Sequence, residues 1–179
     1  MRILAICGSL RAASSNRAVL EAAARLAPVG VQITFYDGLA DLPHFNPDLD
    51  DDPPAPAAAF RAEIGRCDGL LISSPEYAHG VAGAMKNALD WLVGSLEFPG
   101  TPVALINTSP RAKLAQAQMR ETLATMSAAI VEDACIDLPL MGRGLDADGV
   151  VADGPLSTAL LAALESFAQA IEKANAVSP

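Results

Sequence analysis

Five short apolar, β-rich runs alternate with helical patterns along this chain. That alternation predicts an α/β protein, a doubly wound parallel sheet with helices on both faces. Two further observations support it. The first apolar run breaks at Gly8-Ser9 and re-enters as a helix, the step that begins a right-handed crossover between parallel strands. The 179 residues are 51% hydrophobic but only 4% aromatic, enough for one full core built from Ala, Leu, Ile and Val. No linker or internal repeat divides the chain, so residues 1–179 are expected to form one domain.

Arg2–Cys7 is short, continuous and apolar, the pattern of a buried strand. A helix is expected from Asn16 to Leu26, capped by Ser14, Ser15 or Asn16, with Val19, Leu20, Ala23 and Leu26 on one face. Pro28 and Gly30 end it, and Val31–Tyr36 reads as a second strand. Leu39–Pro56 is polar and proline-bearing and reads as a surface loop, followed by a helix over Ala57–Arg66 and a third strand over Asp68–Ser74. A loop from Ser73 to Gly80 leads into a helix over Ala82–Leu96, with Met85, Leu89, Leu92 and Val93 facing inward. Val103–Asn107 is the fourth strand, Ala112–Met126 a helix, and Ala129–Glu132 the fifth strand, with Ile136–Leu138 extending the pairing or forming a short edge segment. Met141–Asp153 is rich in Gly and Asp and reads as loop; Leu156–Ala174 is the last helix, with Asp153 or Ser157 as its cap.

Charge and composition exclude several function classes. A net charge of −9 and a pI near 4.5 argue against a nucleic-acid partner, which needs a basic face. No apolar run approaches the ~20 residues that span a bilayer, and Ile3–Cys7 is shorter than the ~7–15 residues of a secretory h-region. Cys7, Cys67 and Cys135 are widely spaced in apolar surroundings, and only His44 and His79 accompany them, so no metal site is expected. Three buried thiols suit a reducing, cytoplasmic setting. The acidic run Asp48, Asp50, Asp51, Asp52 lacks the alternating ligands and closing Glu of a calcium loop and is expected to be solvated surface.

In a doubly wound sheet the strand C-ends share one edge, and ligands bind there. The loops after the first, third and fourth strands should therefore converge. The first, Gly8–Arg17, offers unpaired helix N-terminal amides, the hydroxyls of Ser9, Ser14 and Ser15, and the planar fork of Arg11. It has no Gly-Lys-Ser/Thr and only one glycine, which excludes a nucleoside-triphosphate loop and a dinucleotide fingerprint. A terminal phosphate monoester enclosed by donors suits it best. The second loop carries Pro75-Glu76-Tyr77, where Tyr77 offers a stacking face for a planar ligand. His79 reads as a surface-loop histidine.

The stretches Gly8-Ser-Leu-Arg-x-x-Ser-x-Asn16 and Pro75-Glu-Tyr-x-x-Gly-x-x-Gly-x-x-Lys-Asn-Ala-x-Asp-Trp91 resemble the two signatures of the NAD(P)H-dependent FMN reductases, the flavodoxin-like group that includes chromate, quinone and azo-compound reductases. The resemblance covers Arg2 to about Leu123. It implies a flavodoxin-like five-stranded sheet in the order 2-1-3-4-5, bound FMN, NADPH or NADH as reductant, and a homodimer or homotetramer. It places Ser9, Arg11, Ser14 and Asn16 on the FMN phosphate, with Ser15 close enough to share the task. Pro75, Glu76, Tyr77, Ala78 and Gly80 would line the isoalloxazine, largely through backbone, and the third loop, Thr108–Arg111, with Thr108 and Ser109 foremost, would close over its other edge. Departures are Ala78 where Asn is usual, Ala82 where Pro is common, and Pro110-Arg111 in place of glycines in the third loop. Lys86–Trp91 resembles the family's dimer-facing helix; Trp91 is left open between core and interface.

The implied activity is transfer of hydride from NAD(P)H through flavin to a small electron acceptor such as a quinone, free flavin, chromate or an azo compound. The chemistry would belong to the flavin, so no side chain is assigned as catalytic. The alternative is a non-enzymatic flavodoxin-type carrier, which the acidic charge would suit.

Overall fold

The computed structural model describes residues 1–177. In chain order it consists of β1 (Arg2–Cys7), α1 (Ser15–Leu26), β2 (Gln32–Tyr36), α2 (Ala55–Ile64), β3 (Gly69–Ser73), a hairpin of β4 (Glu76–Tyr77) and β5 (Gly80–Val81), α3 (Gly83–Asp90), β6 (Pro102–Asn107), α4 (Lys113–Thr125), β7 (Ala129–Ile130), β8 (Ile136–Asp137), α5 (Ala147–Ala152) and α6 (Gly154–Val177). The main sheet is parallel throughout, in the order β2-β1-β3-β6-β7, with β8 paired to the far end of β6. Counting β7 and β8 as one interrupted strand gives the expected 2-1-3-4-5 order. Cys7 of β1 lies in register with Ser73 of β3, so these two strands end together.

Side-chain alternation along β1 sends its residues to two different cores. Ile3, Ala5 and Cys7 face α1 and α6, meeting Val19, Leu20, Ala23, Leu164 and Phe167. Leu4 and Ile6 face α2, α3 and α4, meeting Phe60, Ile64, Met85, Leu89 and Met119. Both faces of the sheet are thus buried, which is why its strands read as continuous apolar runs.

Four expectations are corrected. The fifth strand ends at Ile130 rather than Glu132: a 3₁₀ turn at Glu132–Ala134 follows, Glu132 pairs with Arg120 of α4 at 2.5 Å, and β8 beyond the turn is the short edge segment. The stretch Met141–Asp153 is not all loop, because Asp146 accepts from the Gly149 amide at 2.8 Å and starts α5. Residues 76–81 form a hairpin rather than an open loop. The helix expected to reach Leu96 ends at Asp90, and the turns that follow leave Val93 63% exposed rather than facing inward. Asp153 does cap α6, accepting from the Leu156 amide at 3.1 Å.

The proline-bearing segment after β2 is anchored rather than loose. Asn87 accepts from the Phe45 amide at 2.8 Å and donates to the Pro43 carbonyl at 3.0 Å, and Trp91 Nε1 donates to the same carbonyl at 2.7 Å. Asp50 pairs with Arg61, whose Nε donates to the Trp91 carbonyl at 2.8 Å. Trp91 is fully buried, so it belongs to the core. No helix among the described residues is long and apolar enough to cross a membrane.

Gly69 opens β3 beneath α6, where an added Cβ would lie 2.7 Å from Ile171 Cδ1, 2.9 Å from Phe167 Cζ and 3.3 Å from the Pro102 carbonyl oxygen. Gly69→Ala should therefore lower stability by about 1–3 kcal/mol through overpacking. Urea unfolding measures this as a lower midpoint at unchanged slope.

Candidate functional site

The strand ends of β1, β3 and β6 meet where the loops were expected to converge. Gly8 extends the pairing of β1 by one residue, its amide donating to the Ser73 carbonyl at 2.8 Å. A Cβ at Gly8 would stand 2.7 Å from Ser74 Cβ and 3.1 Å from Ser74 Cα, so only glycine lets the first loop pass this close to the third strand. Of the three possible caps for α1, Ser14 serves: its backbone is extended and its Oγ accepts from the Arg17 amide at 3.4 Å. Ser15 and Asn16 lie within the helix.

Asn16 is 6% exposed, and its carboxamide oxygen joins the strand ends. Ser73 Oγ lies 2.9 Å from Asn16 Oδ1 and 2.8 Å from the Ile106 carbonyl, sharing one proton between them. Thr108 Oγ1 donates to Asn16 Oδ1 at 3.2 Å and accepts from Ser15 Oγ at 3.1 Å. The third loop is held in turn by Asn107, which donates to Asp137 at 2.8 Å and accepts from the Ser109 amide at 3.1 Å. The Thr108 carbonyl accepts from the amides of Leu140 and Met141, drawing in the segment after β8.

The hairpin after β3 is docked on α4. That helix has Ala112 at its N-cap and no capping side chain of its own. Glu76 supplies one from outside, its Oε2 accepting from the Ala115 amide at 2.8 Å. Gln118 Oε1 accepts from the Val81 amide at 3.1 Å, a second tie between the hairpin and α4. Tyr77 and Gly80 pair across a two-residue turn, Ala78-His79, in which both φ values are positive (49° and 62°). Such a turn favours Asn or Gly, and here neither is present. His79 stands exposed at the tip, its Nδ1 3.5 Å from Glu76 Oε1.

These segments enclose a cavity of about 800 Å³. Ser9, Arg11, Ser14, Ser15 and Asn16 line it from the first loop, Pro75, Glu76 and Tyr77 from the second, and Thr108, Ser109 and Arg111 from the third. Of the twelve residues singled out above, Ala78 and Gly80 do not border it. One contribution escaped the sequence reading. Leu140–Ala147 builds a fourth wall, with Gly142 and Gly144 at positive φ; its one-turn-and-a-half helix is too short to leave a periodic signal. Arg111 lies in the third loop, where the resemblance places a wall of the flavin site, and it lines the cavity.

Charge is partitioned sharply around this cavity. The chain holds 21 carboxylate residues and nine arginines. Seven arginines are ion-paired: Arg2, Arg17, Arg25, Arg61, Arg66, Arg120 and Arg143. Arg11 and Arg111 have no acidic partner among the described residues, and both line the cavity. Burial, meanwhile, pushes the thiols of Cys7 and Cys135 up and that of Cys67 to about 11, so none is a thiolate at neutral pH.

Comparison with known proteins assigns the family. The family model described as NADPH-dependent FMN reductase matches residues 1–138. The chain belongs to this family. A 2-hydroxy-1,4-benzoquinone reductase from a Burkholderia species is 35% identical over 155 residues, covering 83% of this chain and 84% of that protein. An NAD(P)H-dependent FMN reductase of Pseudomonas aeruginosa is 39% identical over 130 residues, 69% of each chain. Among solved structures, the flavoenzyme NAD(P)H:(acceptor) oxidoreductase FerB from Paracoccus denitrificans superimposes with a TM-score of 0.81 at 30% identity, covering 96% of this chain and 97% of that one. The family match stops at residue 138, just before the fourth wall of the cavity begins.

The left-handed turn at Ala78 carries a measurable strain. An L-residue in that region costs roughly 1–2 kcal/mol, and glycine relieves it. Ala78→Gly should raise stability by about 1 kcal/mol after the entropy of the unfolded chain is counted. The measurement is the urea midpoint, and a lowered midpoint would contradict the strained turn.

Proposed function

We propose that this cavity is the FMN site of an NAD(P)H-dependent oxidoreductase that reduces a small, quinone-type acceptor. The observation that carries the reading is Arg11: an arginine without an acidic partner among the described residues of an acidic chain, lining the cavity with Ser9, Ser14 and Ser15 at the start of α1. That donor set fits a phosphate monoester dianion, because a guanidinium, the hydroxyl protons of Ser9 and Ser14 and a helix N-terminus all favour negative charge, while the Ser15 proton is directed to Thr108. The fit extends along the cavity. Tyr77 is about half exposed, 52%, and gives a flat wall on the hairpin, while Thr108 and Ser109 supply polar groups on the facing loop.

FMN, when bound, would supply the hydride and electron-transfer chemistry. The chain's own residues have other tasks. Arg11 and the serines would hold the phosphate end. The Pro75–Tyr77 backbone and the Tyr77 ring would offer a wall to the flavin ring. Asn16, with both of its hydroxyl partners, ties the first and third loops together at a buried junction. Glu76 acts through α4, and with no thiolate in the cavity no covalent side-chain step is invoked.

The named relatives are reductases, which favours an enzyme over an electron carrier. The exposed apolar side chains of Val93 and Leu96 beyond α3 offer a surface for self-association as a homodimer or homotetramer. The cytoplasm is the setting in which three unpaired thiols persist.

Two measurements test this. Purified protein with FMN should oxidise NADPH steadily when 1,4-benzoquinone is supplied and no partner protein is present; a carrier would not. Arg11→Ala should weaken FMN binding about 10-fold or more in a fluorescence titration, the scale of a lost charge-assisted contact. Unchanged affinity would place the phosphate elsewhere.

A further inference from the structure

The proposed reaction brings a second reactant to the cavity, and one cavity cation has no task yet. Each carboxylate that lines the cavity is already engaged. Glu21 pairs with Arg17 at 2.8 Å, Glu76 accepts from the Ala115 amide, and Asp146 accepts from the Gly149 amide. The last two face the first turns of helices, whose positive ends offset their charge. Arg11 stands among the hydroxyls of the first loop. Arg111 stands on the third loop, and its guanidinium has no hydrogen-bond or ionic partner among the described residues.

The backbone beneath Arg111 is fixed although its side chain is free. Its amide donates to Ser109 Oγ at 3.3 Å, the Ala112 amide donates to the Ser109 carbonyl at 3.1 Å, and the Lys113 amide donates to the Arg111 carbonyl at 2.9 Å. Beside it the fourth wall brings Met141, whose Sδ lies 3.6 Å from Ser109 Oγ, and no free acid. At about 800 Å³ the cavity lies in the upper part of the range of about 300–1,000 Å³ typical of small-molecule sites, which leaves space for a second ligand beside the first.

We infer that Arg111 is the anion seat for the second reactant. A planar guanidinium fork matches an oxyanion with two oxygens in reach. That oxyanion is either the 2′-phosphate of NADPH or an acidic substituent on the acceptor. The inference rests on the flavin reading above and goes beyond it by naming a residue that sets reactant selectivity, in a loop where Pro110-Arg111 departs from the family's glycines.

The test compares two selectivity ratios in wild type and R111Q, both loaded with FMN. One is kcat/KM for NADPH over NADH with 1,4-benzoquinone as acceptor. The other is kcat/KM for 1,4-naphthoquinone-2-sulfonate over 1,4-naphthoquinone with a fixed reductant. A ratio cancels differences in FMN loading and stability. One of the two should fall about tenfold in R111Q, through KM rather than kcat. The difference between the proteins should shrink as salt is raised. A fall in the first ratio identifies the dinucleotide phosphate, and a fall in the second identifies an acidic acceptor. R111K keeps the charge without the fork and should lie between. Two unchanged ratios overturn the inference while leaving the flavin reading intact. So does weakened FMN binding in R111Q with both ratios kept, which would assign Arg111 to the flavin itself. Wild-type protein that takes up no FMN and oxidises no NADPH removes the flavin reading, and the inference with it.

Discussion

One carboxamide oxygen, Asn16 Oδ1, ties together the ends of three strands. It receives Ser73 from the end of β3 and Thr108 from just beyond β6, and it sits in the first turn of the helix that follows β1. Each hydroxyl has one proton, and the chain Ser15–Thr108–Asn16 uses the available donors in a consistent direction. A buried polar group left unpaired costs about 1–3 kcal/mol, so losing any member would strand the others. The three loops that shape the cavity are therefore set by one buried junction rather than by three independent turns.

The second constraint is electrostatic. A chain of net charge −9 repels anions at long range, yet it carries a site suited to a phosphate. The resolution is local. Most basic side chains are neutralised by nearby acids, while Arg11 and Arg111 line a cavity whose carboxylates are engaged elsewhere, Glu76 and Asp146 by backbone amides and Glu21 by Arg17. Glu76 shows the economy of the arrangement. Its carboxylate caps α4, fastens the hairpin that carries Tyr77, and so presents backbone and ring rather than charge to the cavity.

Much of this was legible in the sequence, and the parts that were not share a physical cause. The strands β1, β3 and β6 are continuous apolar runs because both faces of the sheet are buried there, while the edge strand β2, Gln32–Tyr36, shows instead as an alternating β-rich run; both signals survive without context. The first loop was legible because Gly8, Arg11 and the serines fall directly between a strand and a helix. The hairpin at residues 76–81 was missed because its turn uses Ala78-His79, and nothing in Ala or His announces a left-handed backbone. α5 was missed because six residues make less than two turns, and its one signal, Asp146 as a cap, lies among other Asp and Gly. The break between β7 and β8 is a three-residue 3₁₀ turn closed by the Val131 and Glu132 carbonyls, too short to leave a pattern in the sequence. Asn16 is expected to hold a ligand and does line the cavity; that its oxygen is also the junction of the strand ends is a tertiary arrangement that sequence alone does not reveal.

The central claim is that the converging loops hold FMN in position to be reduced by a nicotinamide. The most direct measurement is the visible spectrum of the purified protein with FMN under anaerobic conditions, before and after adding NADPH. The account requires a protein-bound flavin band that bleaches on addition of the reductant. A protein that remains colourless after FMN is supplied, or a bound flavin that neither NADPH nor NADH bleaches, would contradict it.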